Sequence, residues 1–402
     1  MISLQEAYRL VVLNTPRLQP ELLPLLQAAG RVLAEDVITD VNMPPFPRSG
    51  MDGYALRAAD LAHTPARLEV VASIAAGSFP DFILQPGEAA KIMTGAPVPS
   101  GSDAVQMIEK TRAQNHSVEI LEAVAVGANI SPLGSEAKQG EVVARAETFI
   151  SPAIIGLLAA VGKSEVQAFR APTVGILTTG DELVDITVKP GRAHIRNSNG
   201  YALFTQVENA GGRPQLLGIA RDQQRDLHEK ITSGLQYDLL LLTGGVSMGD
   251  LDLVEEVFAQ FGFEIFFNKV AVKPGKPVIF ARSGQTLIFG LPGNPVSAAT
   301  MFELLVRPAM RKMMGCAAYS NPIVRAQLTE RFANRSQREF YAPAWASYAE
   351  GKFTVRPLKS KGSGDIVTYA ASNSYLICLI AREELQAGEE VEIMLRTEYF
   401  YQ

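Results

Sequence analysis

The segment Thr243-Gly-Gly-Val-Ser-Met-Gly-Asp-Leu-Asp252 holds two adjacent glycines, a hydroxyl and two carboxylates within ten residues. Gly244 and Gly245 lack Cβ atoms and let backbone N–H groups come close to an anion. Ser247 adds a hydroxyl, and a helix expected at 251–261 points its positive end at the same spot. That combination suits a phosphate. Asp250 and Asp252 alone would repel it, so beside it they imply a bridging hard cation such as Mg²⁺, which takes one or two carboxylates with phosphate and water. Helix capping is the plainer use of an Asp, but one would suffice. Which of the two would position the metal stays open.

Asn268-Lys-Val-Ala-Val-Lys-Pro-Gly-Lys-Pro277 carries Lys269, Lys273 and Lys276 around a Pro-Gly turn. Lysines usually end in solvent. Here Pro274 and Pro277 stiffen the chain and hold the ammonium groups together despite their repulsion, which favours a bound oxyanion. Thr178-Thr-Gly-Asp-Glu182 places two carboxylates beside a turn. In Gly290-Leu-Pro-Gly-Asn-Pro-Val-Ser297 the turn is fixed by Pro292 and Pro295 and by glycines, Asn294 stands at a helix cap, and first-turn N–H groups remain for a ligand.

Other chemistries are disfavoured. His63, His116, His194 and His228 share no metal-ligand spacing, and Cys316 and Cys378 are too few for a thiolate zinc or iron–sulfur site. Two cysteines suit a reducing cytoplasm. A net charge of −5 supplies no basic field for nucleic acid. The first ten residues lack the layout of a signal peptide, and no apolar run reaches the roughly 18 residues of a membrane helix. No Gly-x-x-x-x-Gly-Lys-Ser/Thr loop appears, which argues against common kinases.

Elements must position these loops. From 172 the pattern alternates: strand 173–177, helix 199–210, strand 215–219, helix 223–234, strand 238–242, helix 251–261. Unbroken apolar strands between helices indicate a doubly wound parallel α/β sheet, whose ligand loops lie beyond the carboxyl ends of the strands. Strands at 277–281 and 286–289 then precede a long helix from Pro295 to about Met314, capped by Asn294. Helical apolar spacing is expected at 3–13 and 21–34, and Ser151-Pro152 starts a helix to about Val161. Short β-like runs between Pro-Gly and Ser-Gly turns fill 66–145, and β character returns beyond Asn321.

Taken in order, Pro44-Pro-Phe-Pro-Arg-Ser-Gly-Met-Asp-Gly-Tyr-Ala55, Met93-Thr-Gly-Ala-Pro97, Thr179-Gly-Asp-Glu-Leu183, the 243–252 loop, Lys273-Pro-Gly-Lys-Pro277 and Gly290 to Ser297 resemble the molybdopterin molybdenumtransferase family, MoeA in bacteria and the E domain of gephyrin. The resemblance spans essentially the whole chain. It implies an elongated domain from 1–43 and 137–171, an inserted β domain at 44–136, a central MogA-like α/β domain at 172–316 and a C-terminal β barrel at 317–402. It also implies a homodimer whose sites lie between the α/β domain of one subunit and the 44–136 region of the other.

The implied reaction is Mg²⁺-dependent insertion of molybdate into adenylylated molybdopterin with release of AMP. The resemblance casts Asp52, Glu182, Asp222, Asp252 and Lys273 as catalytic. Glu182, Asp250 and Asp252 would hold Mg²⁺. Thr94, Thr243, Gly244, Gly245, Ser247, Lys269, Lys276, Pro292, Asn294, Pro295, Arg338 and Ser363 would bind substrate. It admits an adenylyltransferase as a partner. The rival readings are an adenylyltransferase-like enzyme, which would lack the extra β domains and the Asp52 loop, and a non-catalytic pterin-binding scaffold. Tungstate shares molybdate's charge and tetrahedral shape, so no residue in these loops separates the two.

Overall fold

The computed structural model describes residues 1–244, 258, 260–334, 336–380, 382–396 and 399. The site-bearing unit is a six-stranded sheet of β1 (Thr173–Thr179), β2 (Arg213–Ala220), β3 (Leu239–Thr243), β4 (Glu264–Lys269), β5 (Pro277–Ser283) and β6 (Thr286–Leu291), in the order β2-β1-β3-β6-β5-β4. Strands β2, β1, β3 and β6 run parallel. Along β3 the pleat sends Leu239 and Leu241 into one apolar cluster and Leu240 and Leu242 into another, so both faces are covered and the strand is apolar throughout. Helices Ser198–Asn209 and Pro295–Met301 pack on the first face, and Gln224–Gly234 on the second.

The strands at 173–179, 213–220 and 239–243 run parallel as expected, and the sheet becomes mixed beyond them. Only Gly284 and Gln285 join β5 to β6, too short for a crossover, so they form an antiparallel hairpin, and β4 lies antiparallel beside β5. The long helix after Pro295 is interrupted: α-helix Pro295–Met301, a π-helical turn Phe302–Val306, then α-helix Arg307–Met313. Asn294 occupies the cap position, but its side chain makes no capping hydrogen bond. Instead the Val296 N–H donates to the carbonyl of Ser363, which arrives from the C-terminal unit. The helix expected at 251–261 falls largely outside the described residues.

The helix Pro152–Ala160 begins as expected, the Ser151 hydroxyl accepting from the Ile154 N–H with Pro152 in the first turn. The expected helix at 21–34 is replaced by strand Pro20–Pro24, paired antiparallel with Glu165–Phe169, and a single 3₁₀ turn Leu25–Ala28. Pro20 and Pro24 bracket the run, and proline disrupts helix interiors while tolerating an edge strand. Leu23, Leu33 and Val37 share a core with Ala144, Leu158 and Val166. Helix Leu4–Asn14 buries Leu4, Ala7 and Val11 in the central cluster, beside Met310 and Met313.

Between these segments Gly53–Leu56, Ala66–Ile74, Glu88–Ile92, Ala104–Met107, Thr111–Gln114 and Ser117–Ile120 form one six-stranded sheet. The C-terminal strands Ile323–Leu328, Glu339–Ala349, Lys352–Pro357, Ser374–Cys378 and Glu390–Leu395 close into a five-stranded barrel. The pair Val272–Lys273 adds to this barrel in parallel register, Val272 against Glu339 and Lys273 against Phe340. Among the described residues no helix is long and apolar enough to cross a membrane.

Candidate functional site

The carboxyl ends of β1, β3 and β6 open into a cavity of about 1170 Å³, closed on its far side by barrel residues such as Phe332, Phe340, Leu358 and Ser363. Ten of the expected residues line it together: Glu182, Thr243, Gly244, Lys273, Lys276, Pro292, Asn294, Pro295, Arg338 and Ser363. Chain folding thus gathers loops more than a hundred residues apart.

Lys273 is held by its register with Phe340, and its ammonium sits 4.3 Å from that ring's centroid. Burial pushes it below the usual lysine range, and the neighbouring Arg338 charge adds to the shift. Arg338 is fixed in turn, its Nη1 donating to the Val272 carbonyl at 3.0 Å. Among the described lining residues Arg196, Lys273, Lys276, Arg331, Arg338 and Lys359 face two carboxylates, Glu182 and Glu330. Such a surplus favours an anionic ligand.

Thr243 ends β3 almost fully buried, and its hydroxyl donates to the Pro292 carbonyl at 3.0 Å. Gly244 follows with φ +98°; a Cβ there would stand 2.1 Å from the Thr179 carbonyl, so only glycine lets the loop cross β1 this closely. The Thr179 hydroxyl beneath it is buried, with no hydrogen-bond partner among the described residues.

Other expected residues lie apart. Asp52 and Thr94 are exposed and in contact with each other: Asp52 Oδ1 accepts from the Thr94 N–H at 2.7 Å and its hydroxyl at 2.8 Å, which holds the carboxyl below the ordinary Asp value. Neither lines the cavity of its own chain. Asp222 follows β2 at the same sheet end, exposed outside the lining, its N–H donating to Asp181 Oδ1. Lys269 ends β4 outside the lining, so the turn brings together two of the three lysines. Gly245, Ser247, Asp250 and Asp252 lie outside the described residues.

Mg²⁺ was expected on Glu182 with Asp250 or Asp252. Among the described residues no three His, Cys, Asp or Glu side chains gather. Glu182 nevertheless offers a carboxylate on the same cavity as Lys273 and Lys276, a hard oxygen donor that fits Mg²⁺ completed by ligand phosphate and water.

Sequence reasoning missed Asn197 and Asn199. Asn197 caps helix Ser198–Asn209, accepting from the Gly200 N–H, and donates to the Thr178 hydroxyl. Asn199 Nδ2 donates to both the Thr243 hydroxyl at 2.9 Å and the Gly293 carbonyl at 2.8 Å. The available signal was Asn-Ser-Asn at a helix start, where one cap would serve. Gly245-Val-Ser-Met-Gly249 also spells the Gly-x-Ser-x-Gly pattern of a hydrolase elbow. No histidine stands among the cavity's described lining residues.

Three family models match in order: the MoeA N-terminal region (domain I and II) over residues 2–162, the "Probable molybdopterin binding domain" over 175–312, and the MoeA C-terminal region (domain IV) over 325–395. The molybdopterin molybdenumtransferase of Bacillus subtilis (strain 168) is 33% identical over 98% of this chain and 94% of its own length. The chain belongs to the MoeA family of molybdopterin molybdenumtransferases. A molybdopterin molybdenumtransferase from Nostoc sp. (strain PCC 7120) is 34% identical over 98% of this chain and 94% of its own. The solved molybdopterin biosynthesis moeA protein from Pyrococcus horikoshii OT3 is 32% identical, covers 98% of this chain and 100% of that one, and superimposes with a TM-score of 0.84.

Proposed function

We propose that this chain is a molybdopterin molybdenumtransferase that inserts molybdate into adenylylated molybdopterin and releases AMP. The observation that carries this is the convergence of Lys273, Lys276 and Arg338 with Glu182 on one cavity at the carboxyl ends of a parallel sheet. The three cations hold molybdate and phosphate oxygens in a partly desolvated site, where their charge acts most strongly. Thr243, Gly244, Gly245 and Ser247 would bind substrate phosphate, while Pro292, Asn294, Pro295 and Ser363 shape the wall. Lys269 adds positive charge from the end of β4.

Glu182, with Asp250 or Asp252, would hold Mg²⁺, and Asp222 extends the acidic rim. When bound, Mg²⁺ offsets the negative charge of the phosphoanhydride being cleaved. We place Asp52 and Thr94 against the cavity of a second copy, in a homodimer. Their mutual contact and exposure support this, since an exposed charge-assisted pair outside its own cavity is available to a partner. An adenylyltransferase would supply the substrate. Cys316 and Cys378 are free thiols, which suits the cytoplasm.

The test supplies purified protein with adenylylated molybdopterin, Mg²⁺ and molybdate, and follows AMP release and cofactor formation. Molybdate-dependent AMP release, lost in Lys273→Ala, is the expected result. Formation of adenylate from ATP and bare molybdopterin would instead identify an adenylyltransferase, and binding without turnover a scaffold.

A further inference from the structure

Asn199 lines the cavity with its amide orientation settled by its neighbours. The Gly293 carbonyl can only accept. The Thr243 hydroxyl spends its proton on the Pro292 carbonyl, so toward Asn199 it accepts as well. Both Nδ2 hydrogens are therefore committed to protein oxygens, and the flip ambiguity of an amide does not arise. Oδ1 is left as an acceptor, with no partner among the described residues, on a side chain pinned to the loops after β3 and β6.

We infer that Asn199 Oδ1 is a specificity contact that accepts a hydrogen bond from an exocyclic ring amine of the bound heteroaromatic ligand. This rests on the cavity being the substrate site proposed above. The chemistry follows from the acceptor: a fixed, partly buried carbonyl oxygen welcomes an N–H and rejects a ring carbonyl, which would set two acceptors face to face. Two portions of the substrate carry such an amine, the pterin and the adenine. Asn199 is outside the acidic and basic groups already assigned to phosphate, metal and molybdate.

The test measures equilibrium binding of two probe pairs in which one carbonyl replaces one amine: 6-hydroxymethylpterin against 6-hydroxymethyllumazine, and AMP against IMP. The wild-type chain is expected to prefer the amine member of one pair by on the order of tenfold, and the pair showing it identifies which ring Asn199 reads. Asn199→Ala brings that ratio to near one. Asn199→Asp loses both donors and sets a carboxylate oxygen against the Gly293 carbonyl, so the acceptor is no longer held in place and the ratio falls toward one there as well. A loop-holding role alone would weaken both members equally in both variants, and an unchanged ratio in Asn199→Ala overturns the assignment. Absence of binding by all four probes to the wild-type chain would overturn the substrate-site reading itself. Thermal melts and circular dichroism confirm that each variant is folded.

Discussion

The Lys273 ammonium stands 4.3 Å from the centre of the Phe340 ring, and the two residues are register partners across the pairing that joins the central unit to the barrel. The site's principal cation is therefore positioned by both units at once.

From this follows a pH dependence. Burial and Arg338 both lower the Lys273 value from 10.5, and a bound oxyanion opposes both effects. Molybdate affinity should fall as pH rises through the lowered value, an alkaline limb below the ordinary lysine range. Lys273→Met should bind molybdate at least tenfold more weakly and lose that limb, measured by isothermal titration from pH 7 to 10. Between the lowered value and 10.5 the folded state binds fewer protons than the unfolded, so this residue's contribution to stability improves as pH rises there. Lys273→Met should accordingly be no less stable than wild type at neutral pH.

The contact of Thr94 with Asp52 leads to a test of shared sites. In a homodimer whose sites combine Asp52 of one copy with Lys273 of the other, Asp52→Ala and Lys273→Ala are each inactive. Random mixing makes half the dimers heterodimers, each with one intact site of two, so about a quarter of wild-type activity returns. No recovery, with exchange verified by differently tagged copies, would rule out sites shared in this way.

How much of this was legible beforehand depended on whether the cause was local. Leu239–Leu242 announces a strand covered on both faces, and Ser151-Pro152 a helix start, because pleat and cap are properties of neighbouring residues. Pro20–Pro24 misled, since its apolar spacing also fits a helix and only pairing with Glu165–Phe169 decides the matter. At the site, Lys273 and Glu182 were readable from loop chemistry. Asn199 was not, because its role depends on Thr243 and Gly293, brought to it by folding. Arg338 and Ser363 carried little local signal and owe their place to the barrel's docking.

Glu303 of the π-helical turn forms a buried ion pair with Arg307, the first residue of the following helix. Glu303 accepts from Arg307 Nε at 2.6 Å and from Asn321 and Gln206. Burial opposes ionisation of Glu303, but Arg307 and these amides outweigh it, so its value lies below 4.5. That stabilisation is present above the unfolded value and is lost as pH falls through the folded one. Arg307→Met leaves an unpaired buried carboxylate and should cost about 3–5 kcal/mol in urea unfolding at pH 7. The loss should shrink in acid. An unaltered unfolding midpoint would mean the pair contributes nothing.

Gly244 separates strain from site geometry. Gly244→Ala must relieve both φ +98° and a 2.1 Å approach to the Thr179 carbonyl, so β3 and β1 have to part exactly where Thr243 meets Asn199 and Pro292. Gly388 has φ +85° with open space around its Cβ direction, so Gly388→Ala carries backbone strain alone. Both should lower stability, Gly388→Ala by about 1 kcal/mol. Only Gly244→Ala should also lower AMP release, because the displaced loop takes its hydrogen-bonded neighbours with it. Equal activity in the two variants would show that the approach of Gly244 to β1 matters to stability and not to the site.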